Sequence, residues 1–341
     1  MSESHSNGQG AGRNFLDTIA GCGDKSGQRI ALLMSVFNAL NQSYWLFALV
    51  SFACLTSRAA DDFSSLQTAT APLGRLIITP FLSAPFPHPA RSGGHYYHGQ
   101  LFSATAHYSD PNVALFVPKD FHPGNTVDFV VHFHGWNHAL VGTLPEYHLI
   151  EQFAAAGRNA ILVVPQGPYN APDSFDGKLE DTNGFKVFMN EVLEKLAANG
   201  VFASHSVVLG NVILSGHSGG YHPIAAIVDH GGLTGHIREV WLFDALYGNI
   251  DNFVDWQKNE NGRLINIYTD HGGTRENSEA LLAMYRTKGV ALFANEDTNT
   301  LPDNLLTNKL VFMHTDMAHN EVPRKRLAFE LFLKTSLLHA Q

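Results

Sequence analysis

Short apolar segments alternate with amphipathic helical segments along the chain from residue 75 onward. Eight of the apolar segments are predicted strands: Leu76–Thr79, Val113–Val117, Val127–His134, Ala160–Val164, Val207–Ser215, Val240–Asp244, Leu264–Thr269 and Leu310–His314. The predicted helices are Pro145–Ala156, Gly184–Ala198, Gly219–Asp229, Glu276–Lys288 and Val322–Leu338. Most strands are nearly continuous in Val, Ile, Leu and Phe, which is typical of strands covered on both faces. The alternation therefore predicts an α/β fold in which helices flank a parallel or mixed sheet.

The composition indicates an ordinary globular protein with a sizeable core, since 45% of the 341 residues are apolar and 16% are charged. The formal net charge of -9 is spread along the chain without a basic stripe, so we expect no nucleic-acid partner. The only two cysteines are Cys22 and Cys54, which leaves the remainder without a thiol nucleophile or a thiolate metal site. No repeat and no Pro- or Gly-rich linker divides that remainder, which predicts a single domain over residues 60–341.

The first 59 residues have a different character from the rest. Residues 1–28 are rich in Gly, Ser, Asn and Asp, and the apolar stretch Ile30–Leu55 follows them. Ser57–Ala59 then supplies a small-x-small cleavage pattern, so we predict a secretory signal within residues 1–59 and a secreted, periplasmic or cell-envelope protein. An uncleaved membrane anchor is the alternative, because the apolar stretch approaches the length that spans a bilayer.

A serine lies between glycines where the predicted strand Val207–Ser215 runs directly into a predicted helix. The sequence at 216–220 is Gly-His-Ser-Gly-Gly, which matches the pattern G-x-S-x-G. So tight a turn needs small residues two positions before and after the serine, and it lifts the hydroxyl above the sheet at a helix N-terminus. The pentapeptide alone is a weak signal, but the flanking strand and helix make Ser218 a candidate nucleophile. The alternative is a glycine-rich turn with an incidental serine.

Two further segments contain histidines at the ends of predicted strands. Val127–Trp136 is an apolar strand that ends in His-Gly-Trp. His319 lies in the loop between the last predicted strand and the C-terminal helix, and His314 at the end of that strand is its competitor. A serine hydroxyl needs such a histidine as a general base and a carboxylate to orient it.

The histidines near the first of these segments also allow a different interpretation. His132, His134 and His138 form an H-x-H-x-x-x-H string, which could indicate a metal site. Hydrolase metal strings carry a nearby acidic residue, and none follows here before Glu146. We therefore expect no metal.

With Ser218, His319 and His134-Gly135-Trp136 in this strand–helix order, the chain resembles the α/β-hydrolase superfamily over roughly residues 75–339. The resemblance implies an eight-stranded, mostly parallel sheet and a two-step mechanism through an acyl-enzyme without a cofactor. Ser218 would attack a carbonyl while His319 takes its proton. The backbone N–H groups of Trp136 and Gly219 would then hold the oxyanion.

The resemblance leaves the triad acid open between two aspartates. Asp244 follows the sixth predicted strand, and Asp270 follows the seventh, which is the more common location in the family. The family acid normally follows the seventh strand by several residues, whereas Asp270 lies at the very end of it. We therefore favour Asp244, and a helix cap or turn is the expected role of the other aspartate.

Substrate contacts are expected from residues around these motifs. The candidates are His134, Gly135, His217 and Tyr247, and the aromatic side chains that could line the site are Trp136, Tyr169, Phe175 and Tyr247. The polar segment Pro168–Thr182 is long for a strand–helix connection, which favours a functional loop at the same sheet edge.

Together these features predict a serine hydrolase that cleaves carboxylic esters, small or polymer-borne. A peptidase or amidase with the same triad is the alternative enzyme. A binding protein on the same scaffold that has lost its chemistry is the alternative outside enzymes, although the intact set of serine, histidine and acid argues against it. Contact with a membrane is expected only through residues 1–59, if they are retained.

Overall fold

A twisted sheet of nine strands lies at the centre of the structure, a computed structural model that describes residues 63–202, 207–296 and 308–341. The strands are β1 (Gly74–Pro80), β4 (Asn112–Pro118), β5 (Thr126–Phe133), β6 (Ala160–Pro165), β7 (Val208–His217), β8 (Ile237–Phe243), β9 (Arg263–Thr269), β10 (Phe293–Glu296) and β11 (Leu310–Thr315). Their order across the sheet is β1-β4-β6-β5-β7-β8-β9-β11-β10. Strand β4 runs antiparallel to β1 and β6 on either side of it, and all the other neighbouring pairs in this sheet are parallel. A separate hairpin consists of β2 (His95–Tyr97) and β3 (Gln100–Phe102).

Helices cover both faces of this sheet. They are α1 (63–70), α2 (Ala104–His107), α3 (Leu140–Glu146), α4 (Leu149–Ala155), α5 (Gly184–Ala198), α6 (Tyr221–His230), α7 (Ile250–Glu260), α8 (Arg275–Thr287) and α9 (Ala328–Lys334). Short 3-10 helices occur at Pro89–Arg91, Gly177–Glu180, Ser218–Gly220, Thr234–His236, His319–Glu321 and Lys325–Leu327. The predicted fold class, a mostly parallel sheet flanked by helices, is confirmed, with one more strand than expected.

The continuous apolar character of the central strands reflects burial on both sides of the sheet. In β5, Phe129 and Val131 belong to one hydrophobic cluster, whereas Val130 belongs to the cluster on the opposite face. Successive side chains of a strand point to opposite faces, so each strand contributes to both cores. Each fully buried side chain of this size stabilises the fold by roughly 1.5–3 kcal/mol.

Several elements differ from the sequence prediction. The predicted helix Pro145–Ala156 is two helices, α3 and α4, separated by His148 with a φ of 51°. The C-terminal helix predicted over Val322–Leu338 is regular only in α9. Helix α7 was missed, because Phe253 and Trp256 are its only fully buried side chains and the rest of its sequence is polar.

The N-terminal signal predicted over residues 1–59 lies outside the described residues. The described residues, which begin at residue 63, belong to one compact unit. Within this part of the chain no helix is both long and apolar enough to cross a bilayer.

The carboxyl ends of the parallel strands meet at one edge of the sheet, and the candidate residues follow them. Gly135 follows β5, Ser218 follows β7, Asp244 follows β8, Asp270 follows β9 and His319 follows β11. Ligands of open α/β sheets bind outside this edge. Residues that are far apart in sequence therefore lie at the same edge of the sheet.

Candidate active site

The turn at Ser218 has the strained geometry that its glycines predict. Strand β7 ends at His217, and Ser218 has a φ of +53°, in the left-handed region. A Cβ on Gly216 would lie 2.7 Å from Ile224 Cδ1, and a Cβ on Gly220 would lie 2.6 Å from the Phe133 carbonyl oxygen. Larger residues at 216 and 220 would therefore force the turn open. A non-glycine residue in this conformation costs on the order of 1–3 kcal/mol, which the surrounding packing has to offset.

Ser218 is partly exposed and opens into a cavity of about 670 Å³. The cavity is lined by Trp136, Asn137, His138, Glu146, Ser174, His217, Ser218, Gly219, Tyr221, Tyr247, His319 and Asn320. Its size suits a small-molecule substrate or one end of a larger one.

Gly135 packs directly against the turn that carries Ser218. A Cβ at this position would lie 2.5 Å from the Ser218 Cβ and 3.1 Å from the His217 carbonyl oxygen. The next residue, Trp136, lines the cavity, and its ring N–H donates to the Ser174 hydroxyl over 2.6 Å. No group among the described residues accepts a hydrogen bond from the backbone N–H of Trp136. The His-Gly sequence thus lets the end of β5 approach the serine closely.

Replacing Gly135 by alanine is expected to displace the Ser218 turn and to lower kcat/KM by at least about tenfold, with a loss of about 1–3 kcal/mol in the free energy of unfolding. Gly142→Ala is the matched control, because a Cβ there meets nothing within 4 Å and the position lies inside α3. The control should be neutral or stabilising by about 0.5–1 kcal/mol. Thermal unfolding and ester kinetics of both variants check this. Equal activity in the two would contradict the close packing described here.

A short side-chain hydrogen bond joins His319 to Asp244 at this edge of the sheet. His319 Nδ1 donates to Asp244 Oδ2 over 2.6 Å, and Asp244 is fully buried. The carboxylate also accepts hydrogen bonds from the Thr269 N–H at 3.2 Å, the Thr269 hydroxyl at 2.9 Å and the Thr274 hydroxyl. Burial raises the pKa of Asp244, but these hydrogen bonds, that from His319 foremost, outweigh it and hold the pKa below its ordinary value.

The hydrogen bond to Asp244 sets the tautomer of the His319 ring. With its proton on Nδ1, the neutral ring keeps a lone pair on Nε2 and can act as a base. His319 and Ser218 line the same cavity, although no hydrogen bond joins the Ser218 hydroxyl to the ring in this structure. Hydrogen bonds of this kind often tighten only when substrate binds.

The second candidate acid, Asp270, points elsewhere. Its Oδ1 accepts a hydrogen bond from His314 Nε2 at 2.9 Å and pairs with Arg275. His314, the competing histidine of the sequence analysis, is therefore the partner of Asp270. Of the two aspartates, Asp244 is the one that reaches His319.

A chain of hydrogen bonds runs from the cavity wall to the backbone of His319. His217 Nε2 lies 3.1 Å from the His319 carbonyl oxygen, and His217 Nδ1 lies 3.1 Å from the Tyr147 hydroxyl. The same hydroxyl lies 2.9 Å from His138 Nε2. Burial lowers the pKa of His217 well below its ordinary range and raises that of Tyr147, so both stay neutral. His217, expected to contact substrate, lines the cavity and also supports the loop of His319.

His134 was expected to contact substrate, but the structure places it beneath the cavity wall. Its Nδ1 donates to the Gly135 carbonyl oxygen over 2.9 Å, and its Nε2 accepts from the Gly167 N–H over 3.1 Å. Burial lowers the pKa of this ring to about 4, so it is neutral near pH 7. Neither His134 nor Gly135 lines the cavity. Gly135 packs against the turn at Ser218, and His134 supports this packing from behind through its hydrogen bond to Gly135.

The three histidines of the possible metal string have separate partners. His132 is buried with its Nδ1 2.9 Å from the Ser215 hydroxyl, His134 faces Gly167, and His138 contacts Tyr147. Strand alternation places His132 in the core against Phe329. The side chains therefore do not converge on a common point.

Two of the four aromatic candidates, Trp136 and Tyr247, line the cavity. Phe175 instead packs against Phe86 and under the Arg91 guanidinium, and Tyr169 lies outside the cavity wall. The cavity residues that the sequence analysis did not single out as substrate contacts are Asn137, His138, Glu146, Ser174, Tyr221 and Asn320. Ser174 belongs to the long loop that was predicted to be functional. The length of this loop is the one sequence signal that could have identified Ser174 as a cavity residue.

No protein-family profile and no curated protein matches the sequence. Three solved structures are similar in chain path. The feruloyl esterase module from Clostridium thermocellum is 11% identical, with a TM-score of 0.46 and coverage of 79% of this chain and 91% of that one. The Pyrobaculum calidifontis esterase is 13% identical, with a TM-score of 0.44 and coverage of 82% and 92%. The S-formylglutathione hydrolase from Agrobacterium tumefaciens is 9% identical, with a TM-score of 0.42 and coverage of 67% and 90%.

Similarity at this level says nothing about the reaction, and the fold is evident from the sheet itself. The second strand of the large sheet, β4, is antiparallel, and the fourth strand along the chain (β6) lies between the second and the third (β5). Strands β7, β8 and β9 then follow in order, and β11 lies between β9 and the edge strand β10. A serine stands on the strand-to-helix turn after the fifth of these strands, β7. This strand order, with the serine on the turn after β7, is that of the α/β-hydrolase fold, which this chain therefore has.

Proposed function

We propose that this protein is a serine hydrolase that cleaves carboxylic esters through an acyl-enzyme on Ser218. His319 is the general base, and Asp244 orients it. The observation that carries the proposal is the 2.6 Å hydrogen bond from His319 Nδ1 to the buried Asp244, in a cavity that His319 shares with Ser218. Nucleophilic catalysis by a hydroxyl requires a histidine held in this tautomer in the same cavity as an accessible serine.

The proposed reaction has two steps, acylation and deacylation of Ser218. The Ser218 hydroxyl oxygen bonds to the ester carbonyl carbon while its proton passes to His319 Nε2. The backbone N–H groups of Trp136 and Gly219 stabilise the oxyanion, and each donor of this kind contributes roughly 3 kcal/mol. Collapse expels the alcohol with the proton from His319. Water, deprotonated by the same nitrogen, then releases the acid and restores Ser218.

Esters are the leading substrates because an alkoxide leaves more readily than the anion of an amine. We expect hydrolysis of nitrophenyl esters of short acids, with kcat/KM at least about 100-fold above that for nitroanilides of the same acids. Both release a coloured product, so one spectrophotometric assay compares them. Faster cleavage of the anilides would replace the proposal by a peptidase or amidase. If neither substrate is cleaved, the binding-protein alternative gains support.

A further inference from the structure

Two hydrogen-bond acceptors face each other in the wall of the cavity. His138 Nδ1 and Glu146 Oε2 are 3.8 Å apart, which is too far for a hydrogen bond. Both residues line the cavity that contains Ser218 and His319. Among the described residues, neither of these two atoms takes part in a hydrogen bond.

The chain of hydrogen bonds behind His138 determines that its Nδ1 carries a lone pair. The His319 carbonyl oxygen can only accept, so His217 Nε2 donates to it. In this neutral ring Nδ1 then carries a lone pair, so the Tyr147 hydroxyl donates its one hydrogen to His217 Nδ1. The Tyr147 oxygen therefore accepts from His138 Nε2, and the proton of a neutral His138 ring is on Nε2.

The protonation and charge of the cavity wall reinforce this geometry. Burial lowers the pKa of His138, which favours the neutral ring. Apart from the histidines, Glu146 is the only acidic or basic side chain among the described residues that line the cavity. The Nδ1 lone pair of His138 and the carboxylate of Glu146 thus lie close together in the cavity wall, and no described residue donates a hydrogen bond to either.

We propose that His138 and Glu146 form a subsite for a primary ammonium group of the substrate. The proposal rests on the ester hydrolysis proposed above and names the class of ester that this site prefers. An ammonium carries three donors, no acceptor and a positive charge, so it satisfies both groups at once. A hydroxyl brings one donor and no charge, and a carboxylate or phosphate is repelled by Glu146.

Three matched esters test the subsite on the full-length chain: nitrophenyl hexanoate and its ω-hydroxy and ω-amino derivatives. We expect kcat/KM for the ω-amino ester to exceed that of the unsubstituted ester by at least about tenfold, since a charged hydrogen bond is gained. Glu146→Gln should abolish this preference, measured as the ratio of kcat/KM for the ω-amino ester to kcat/KM for the unsubstituted ester. Glu151→Gln removes the same charge from an exposed site outside the cavity and should retain the preference.

An inhibition assay on the wild-type chain needs no variant. Hexylammonium should inhibit hydrolysis of nitrophenyl hexanoate at concentrations at least about tenfold lower than hexanol does. Equal rates for the amino and unsubstituted esters, a preference for the hydroxy ester, or equal effects of the two glutamate substitutions would overturn the subsite. If no ester is hydrolysed, the proposed function fails, and calorimetric titration with hexylammonium still decides the subsite: binding that Glu146→Gln removes supports it, and no binding refutes it.

Discussion

Replacing Ser218 by alanine is expected to lower kcat for nitrophenyl ester hydrolysis by at least about 10⁴-fold, because the substitution removes the atom that forms the acyl-enzyme. The remaining rate would come from the oxyanion donors and from binding alone. KM should change little, since the carbonyl-binding groups stay in place. Stopped assays with high enzyme concentration measure the residual rate, and thermal unfolding verifies that the variant folds.

Ser174→Ala is the matched control for this substitution, because Ser174 lines the same cavity and loses the same single oxygen. Its hydroxyl accepts a hydrogen bond from the Trp136 ring, so an effect on KM is expected, but kcat should fall by less than about tenfold. If Ser218→Ala retained more than about one hundredth of the wild-type kcat, Ser218 would not be the nucleophile.

Asp244→Asn is expected to lower kcat by about 10⁴-fold while preserving the fold. The reason is the tautomer of His319. The Thr269 N–H can only donate, so the asparagine carbonyl oxygen takes the place of Oδ1 and the amide NH₂ turns towards His319. The ring must then accept at Nδ1 and carry its proton on Nε2, where it cannot act as a base.

Asp270→Asn distinguishes the two aspartates of the sequence prediction. Asp270 is exposed and pairs with His314 and Arg275, so its loss should change kcat by less than about threefold. Steady-state kinetics of the two asparagine variants under the same conditions make the comparison. The reverse ranking would transfer the role of the acid to Asp270.

Much of the architecture was predictable because its signals are local. All eight predicted strands are present, since buried strands are continuous apolar runs that need no partner to be recognised. The turn at Ser218 was predictable for a steric reason that lies within five residues, namely the space denied to side chains at Gly216 and Gly220.

The choice of acid and the composition of the cavity wall depend on packing between distant segments. Asp244 and Asp270 both follow parallel neighbouring strands, and only the direction of each side chain separates them. Glu146 and His138 reach the cavity from the segment after β5, where no periodic pattern marks them. The hairpin of β2 and β3 was missed because strands of three residues are too short to show alternation.

Labelling by a fluorophosphonate tests the central claim most directly, because only a serine activated by a neighbouring base reacts readily with it. We predict one adduct per chain, located on Ser218 by mass spectrometry of the digested protein. The adduct should be absent in Ser218→Ala and form far more slowly in Asp244→Asn. An adduct on another residue, or ester hydrolysis that continues without any adduct, would contradict it.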